Sequence, residues 1–471
     1  MGVCMSWKLR AFSPVVLSAG LFGCGGEDGP APPPPPPPPL SIISATTASV
    51  EENATAAFYQ ATATGGAGAI RFTLGNTQDA TYFTISAAGA LRFTDPPNYD
   101  LENDFDNDNV FDLRLIAQSG SQSVSIPLSV TLENSREGIR VTRIVTGLVE
   151  PRALTGTDVS DEIFVAEKSG RILAFEGSTG VMMREVVPAS TIPDYELMDI
   201  AFGVAGNYPL DLSVLARRGD GLGVRRPLVG MFGVERSASV GAVGAERDVQ
   251  TVLGFGPDGI MYAAIGNPDN ATLVANDVRG HLRKFRPCFT AATRNYFCSH
   301  QVGEGVRQPG GLATVGDKLA LLDQGAAEEH EITAVRPDGF PLNFGWPFLE
   351  GTVQVSAPPP TVTLTNPNVV YGVGDEPREG LGPVGGVDYR GAISGLIDRF
   401  VFADRSGAIW SLPRNLLTGG MGMDVRFLER RTEDFLPNEG TLDEIVDLAA
   451  DIDGTIYILD ADGELYRVDA A

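Results

Sequence analysis

The chain reads as an all-β protein, a six-bladed β-propeller preceded by an N-terminal β-sandwich. Three observations predict this. Glycine (56) and proline (33) are abundant among 471 residues, while long amphipathic helical patterns are absent. Residues 41–135 alternate apolar and polar side chains in short runs between turn residues, which is the period of half-buried strands. From Glu137 onward the pattern becomes strand, Asp-Gly or Gly turn, strand, recurring every few tens of residues as propeller blades do.

At the amino end, Lys8 and Arg10 precede an apolar run over residues 11–22 that is too short to span a bilayer, so residues 1–23 read as a secretory signal. The run ends in Leu21-Phe22-Gly23-Cys24, which resembles a bacterial lipobox. That resemblance implies a lipid anchor on Cys24, with a plain signal-peptidase site as the alternative. Residues 24–40, with prolines at 32–39, form a solvated polyproline II spacer. The expectation is an exported lipoprotein, periplasmic or on the outer membrane or cell surface.

Composition narrows the partners. Lys and Arg number 35 against 60 Asp and Glu, a formal charge of −25, which disfavours nucleic acid and anionic membrane surfaces. The acid excess fits a solvated surface or calcium sites. Four cysteines lack zinc spacing. Cys288 and Cys298 bracket a polar stretch, and a disulfide between them would contribute roughly 2–3 kcal/mol in an oxidising compartment. Two unpaired buried thiols are the alternative. No Ser/His/Asp arrangement or phosphate-cradling glycine loop is visible, so hydrolase and nucleotide-binding readings have no support.

In the sandwich segment, alternating runs at residues 70–74, 83–85, 91–93, 111–116 and 124–130 are the expected strands. Acidic clusters interrupt them at Glu51-Glu52-Asn53, Asp100-Leu101-Glu102 and Asp104 to Asn109. Carboxylates this dense repel unless solvated or bridged by a hard cation such as Ca²⁺, which takes 6–8 oxygen ligands. Val50-Glu51-Glu52-Asn53, Tyr99-Asp100-Leu101-Glu102-Asn103 and Asp106-Asn107-Asp108-Asn109-Val110-Phe111 resemble the "VxEN" and "DFEN…GDNVYE" motifs of bacterial cadherin-like repeats. The resemblance implies Ca²⁺ ligation by Glu52, Asp100, Glu102 and Asp106. The chain departs from it at Ser119, where the family has aspartate, and in the reduced linker Glu133-Asn134-Ser135.

For residues 137–471, six blades of roughly 45–55 residues account for the length. Six stretches in order resemble the glucose/sorbosone dehydrogenase family of quinoprotein propellers. Leu197-Met198-Asp199-Ile200-Ala201-Phe202 stands for "LLGIAF", Phe255-Gly256-Pro257-Asp258-Gly259 for "FGPDG", and Arg307-Gln308-Pro309-Gly310-Gly311-Leu312 for "RNPWRF". Glu328 to Ile332 with Asn343-Phe344-Gly345-Trp346-Pro347 stands for "EEI…NYGWP", Val387-Asp388-Tyr389-Arg390-Gly391 for "xVYRG", and residues 400–410 for "YVFGDYxSGRIW".

The resemblance implies a sugar dehydrogenase that binds pyrroloquinoline quinone and Ca²⁺ at the propeller top, with Glu331 as a metal ligand and Asp194, Arg307 and Gln308 at the cofactor. Asp248 falls on the family's base histidine. Its ordinary pKa near 3.9 makes it a weaker base than imidazole. The alternative is a non-catalytic, Ca²⁺-dependent recognition lipoprotein that binds a glycan or a protein, as the propeller of hedgehog-interacting protein does. His281 is expected to pack or face solvent, His300 to sit on a surface loop, and His330 to lie at the surface beside the acidic motif.

Overall fold

The computed structural model describes residues 35–101, 104–157, 160–189, 196–203, 211–219, 221–227, 234–243, 249–270, 277–290, 293–336, 341–419 and 427–471. These are nearly all β, with one four-residue α-helix, Asn415–Thr418. No helix among the described residues is long and apolar enough to cross a membrane.

The N-terminal segment forms two principal sheets over one core. One sheet orders Thr47–Glu51, Gln122–Glu133, Val110–Ser119 and Arg71–Leu74. The other orders Tyr59–Gln60, Ala90–Phe93 and Phe83–Ile85. Strand Val110–Ser119 alternates buried and less buried residues along nearly its whole length, the mark of a strand with one face on a core. Leu113, Leu115, Ala117, Leu128 and Val130 are buried there, and Phe83, Phe93 and Phe111 meet with ring centroids 4.2–5.3 Å apart.

Between residues 139 and 470 six sheets of four or five strands follow one another, each built mainly as an antiparallel meander. Their first strands are Pro151–Gly156, Glu196–Gly203, Thr251–Phe255, Pro309–Val315, Pro383–Asp388 and Ile445–Ala450. Each packs on the first strand of the next sheet, and that of the sixth packs on that of the first, so the sheets close into the ring of a β-propeller. The last sheet is completed by the strand that precedes the ring. Ile139–Val145 pairs antiparallel with Leu465–Ala470, Ile139 opposite Ala470. Closure of this kind ties residues from both ends of the ring into one sheet, with Ile139–Val145 as its outer strand.

Hairpin turns follow the predicted Asp-Gly chemistry. Asp258 accepts from the Ile260 N–H and the Tyr262 hydroxyl, and Asp451 from Thr455 N–H and the Tyr457 hydroxyl. Gly259 and Gly454 take positive φ at the same turns (68° and 79°). At Gly310 the first strands of sheets four and five come so close that a Cβ would lie 1.7 Å from the Pro383 carbonyl oxygen.

Candidate active site

The first strands enclose a central cavity of about 1140 Å³. Five of them carry a register shift near their start, at Pro151/Ala153, Leu197/Asp199, Pro309/Gly311, Val384/Gly386 and Ile445/Asp447. At two of these bulges the residue is an aspartate that reaches the cavity. Asp447 accepts the Leu448 N–H and, from the next sheet, the Leu154 N–H, both at 2.8 Å. Asp199 repeats the arrangement with Ile200 N–H at 2.7 Å and Leu253 N–H of the next sheet at 2.5 Å. Burial pushes Asp447 up to about 7 and Asp199 well above the usual carboxylate range, the latter helped by the charge of Asp447.

A second acidic series braces the mouth. The carboxylate that ends the second strand accepts backbone N–H groups from the approach to the first strand of the same sheet. Glu167 takes Val149, Asp323 takes Arg307 and Gln308 (2.7 and 2.6 Å), Asp404 takes Leu381 and Gly382, and Asp460 takes Asp443 and Glu444. The sequence carries a signal for this, an acid closing each apolar run in Phe164-Val165-Ala166-Glu167, Leu321-Leu322-Asp323, Phe402-Ala403-Asp404 and Ile458-Leu459-Asp460. It was not recognised because a strand-terminal acid usually reads as solvated.

The predicted residues distribute as follows. Asp194 and Asp248 lie outside the described residues, and so do Glu102 and Cys24. Gln250 and Thr251, which follow Asp248 in the chain, line the cavity. The Thr251 hydroxyl is buried there without a hydrogen-bond partner among the described residues. Arg307 and Gln308 sit at the mouth of the fourth sheet through the Asp323 clamp. The Arg307 guanidinium donates to the Gln324 carbonyl at 2.8 Å and lies over the Trp346 ring at 5.3 Å, and it is not part of the cavity wall.

Glu331 is buried opposite Asp323 in register, and burial together with the charges of Asp323 and Glu329 raises its pKa well above the usual range. Glu52 and Asp100 come together where the N-terminal module meets the propeller. Asp106 lies apart, its carboxylate converging with those of Asp104 and Asp108 to within 4.8 Å. Cys298 is disulfide-bonded, while the side chain of Cys288 lies outside the described residues.

The surface expectation for His330 is corrected. The ring is fully buried, because the strand Glu329–Val335 turns it inward against Tyr371, with centroids 4.8 Å apart. The Gly325 N–H donates to Nδ1 at 3.1 Å, which leaves Nε2–H to donate to the Gly380 carbonyl at 3.0 Å. His300, expected on a loop, is exposed but lies within strand Thr293–Glu304. His281 is half-buried on strand His281–Thr290.

An anionic quinone needs cations around its carboxylates. Among the described residues the cavity presents four basic side chains, Arg152, Lys168, Arg390 and Arg405, against six acids, Glu150, Asp199, Asp388, Glu444, Asp447 and Asp451. Three of the four cations are already paired, Arg152 with Glu196, Lys168 with Glu150 and Arg390 with Asp388. Burial holds protons on Asp199 and Asp447, so it is the pairing of three of the four cations, and not the number of acids, that leaves the described wall poorly matched to a polyanion. The carboxyl groups of the wall can accept from the hydroxyls of a neutral polyhydroxylated ligand without requiring ligand charge.

The chain matches no protein-family profile and no curated protein sequence. Among solved structures it is similar to the apo form of soluble aldose sugar dehydrogenase from Escherichia coli, with 16% identity over 71% of this chain and 100% of that one at a TM-score of 0.49. A glucose dehydrogenase gives 17% identity over 70% and 99% of the two chains, TM-score 0.47. A Bacteroides thetaiotaomicron protein of unknown function covers 92% of this chain and 98% of its own at 12% identity and TM-score 0.38. Likeness at this level transfers neither activity nor ligand.

Proposed function

We propose that this protein is an exported, six-bladed β-propeller of the quinoprotein sugar dehydrogenase type, preceded by a cadherin-like sandwich, that binds a neutral sugar or glycan in its central cavity without redox turnover. One observation carries the reading. Stretches 198–202, 255–257, 309–312 and 387–388, four of those on which the family resemblance rests, all line the same cavity. Pyrroloquinoline quinone is disfavoured by the pairing of the described wall's cations, and the family's base position holds Asp248 rather than histidine.

In this reading Asp199 and Asp447 accept hydrogen bonds from ligand hydroxyls while their backbone partners hold the carboxylates at the wall. The sandwich contributes a Ca²⁺ site at Asp106 with Asp104 and Asp108, and Cys24 carries the anchor. Two measurements on the secreted, anchor-free chain test the proposal. Calorimetric titration with neutral oligosaccharides should show binding that Asp199→Asn and Asp447→Asn each weaken about tenfold. Reconstitution with pyrroloquinoline quinone and Ca²⁺ should give no aldose-dependent dye reduction, and turnover would refute the non-catalytic reading.

A further inference from the structure

One carboxylate that the sandwich presents toward the propeller, that of Asp100, already has a cation beside it, and the cation belongs to the chain itself. Arg431 follows the outermost strand of the fifth sheet, Glu429–Arg430, and its side chain is 1% exposed. Its guanidinium contacts carboxylates from three separate segments. Asp100 of the sandwich lies 2.6 Å away, Glu137 of the connecting segment 2.6 Å, and Glu429 and Asp434 of the propeller 2.8 and 3.1 Å. The remaining donors reach the Ser411 hydroxyl at 3.2 Å and the Gly395 carbonyl at 3.4 Å. A planar guanidinium, more weakly hydrated than a compact cation and carrying five donors, suits such a buried multi-carboxylate pocket.

The surrounding contacts share the arrangement. Glu52 accepts the Tyr99 and Ser135 N–H groups at 3.1 and 3.0 Å, fixing the turn that bears Asp100 to the connecting segment. Asn98 donates to Glu429 at 3.0 Å and the Tyr99 hydroxyl to Glu433 at 2.8 Å, while Arg378 donates to the Leu101 carbonyl. Arg136 in turn donates to the carbonyls of Asp434 and Leu436.

We propose that Arg431 takes the place of a bridging metal ion at this junction, docking the N-terminal module on the fifth sheet in a metal-independent manner. Two residues expected to ligate Ca²⁺, Glu52 and Asp100, serve this interface, and Ca²⁺ responsiveness is confined to the separate Asp104, Asp106 and Asp108 loop.

The test is hydrogen–deuterium exchange on the full secreted chain, read at residues 98–101 and 133–140, in Ca²⁺ and in EGTA. The wild type should protect both segments equally in the two buffers. Arg431→Met should speed their exchange at least tenfold and make it Ca²⁺-sensitive, because the carboxylates then lack a cation. Should that variant not fold, Asp100→Asn, which keeps the guanidinium's other partners, should speed exchange at residues 98–101 at least threefold in both buffers. Exchange in the wild type that EGTA accelerates tenfold would overturn the proposal, and so would variants that leave both segments as protected as before.

Discussion

Asp447→Asn tests whether the cavity wall is electrostatically strained. The carboxyl holds its proton up to about pH 7, against an ordinary 3.8, because burial opposes the charge. The folded state therefore binds this proton more tightly than the unfolded chain. Its contribution to stability is full below pH 4 and is lost as the pH climbs to 7. About three pK units at ~1.4 kcal/mol each set a ceiling of about 4 kcal/mol on that loss. Solvent reaching the half-buried side chain through the cavity reduces it to about 2 kcal/mol.

Asparagine removes the titration but offers one oxygen where two N–H groups, Leu154 and Leu448, now find two. That costs about 1 kcal/mol at every pH. The variant should thus be about 1 kcal/mol less stable than the wild type at pH 4 and about 1 kcal/mol more stable at pH 8, measured by urea unfolding of the full chain. Parallel stability curves for the two proteins between pH 4 and 8 would refute the reasoning.

Other perturbations have equally definite outcomes. Glu331→Gln removes a buried acid whose pKa is raised, so the variant should gain melting temperature over the wild type at pH 8 and lose that advantage at pH 4. Gly310→Ala places a methyl group on the Pro383 carbonyl, and soluble yield should collapse, as expected for a loss above about 3 kcal/mol. His330→Phe leaves the Gly325 N–H without its partner and the Gly380 carbonyl with the Gly374 N–H alone, which should cost about 1–3 kcal/mol in denaturant unfolding. Millimolar Ca²⁺ should raise the melting temperature of the full chain, and the combined Asp104→Asn, Asp106→Asn and Asp108→Asn substitutions should abolish the rise.

Much of the fold was legible because propeller hairpins are local. Asp258-Gly259 and Asp451 to Gly454 announce their turns through residues close in sequence, and the alternation at 110–119 announces a one-sided strand. The pairing of Ile139–Val145 with Leu465–Ala470 spans the whole ring and leaves no local signature, so only the structure reveals it. For the site, the motif stretches were visible, but their convergence on one cavity follows from ring closure. Asp199 lies inside a motif stretch but carries no mark there of a role at the wall, and its partner Asp447 lies in a stretch that no motif marks. Arg431 had no sequence signal either, since the pair Arg430-Arg431 between Glu429 and Glu433 ordinarily reads as surface ion pairing.

The closing strand has a mechanical consequence. A chain held ahead of the sandwich transmits any pull through Gly138 into Ile139, the residue paired with Ala470. Tension would then peel the outer strand of the sixth sheet from its Ile139 end, one pair of hydrogen bonds after another, and undo the seam like a clasp. Arg431 lies across that load path. By gripping Asp100 ahead of the seam and Glu137 at its threshold, it diverts force into the fifth sheet, so that the weakest joint of the ring is shielded by a side chain outside the seam.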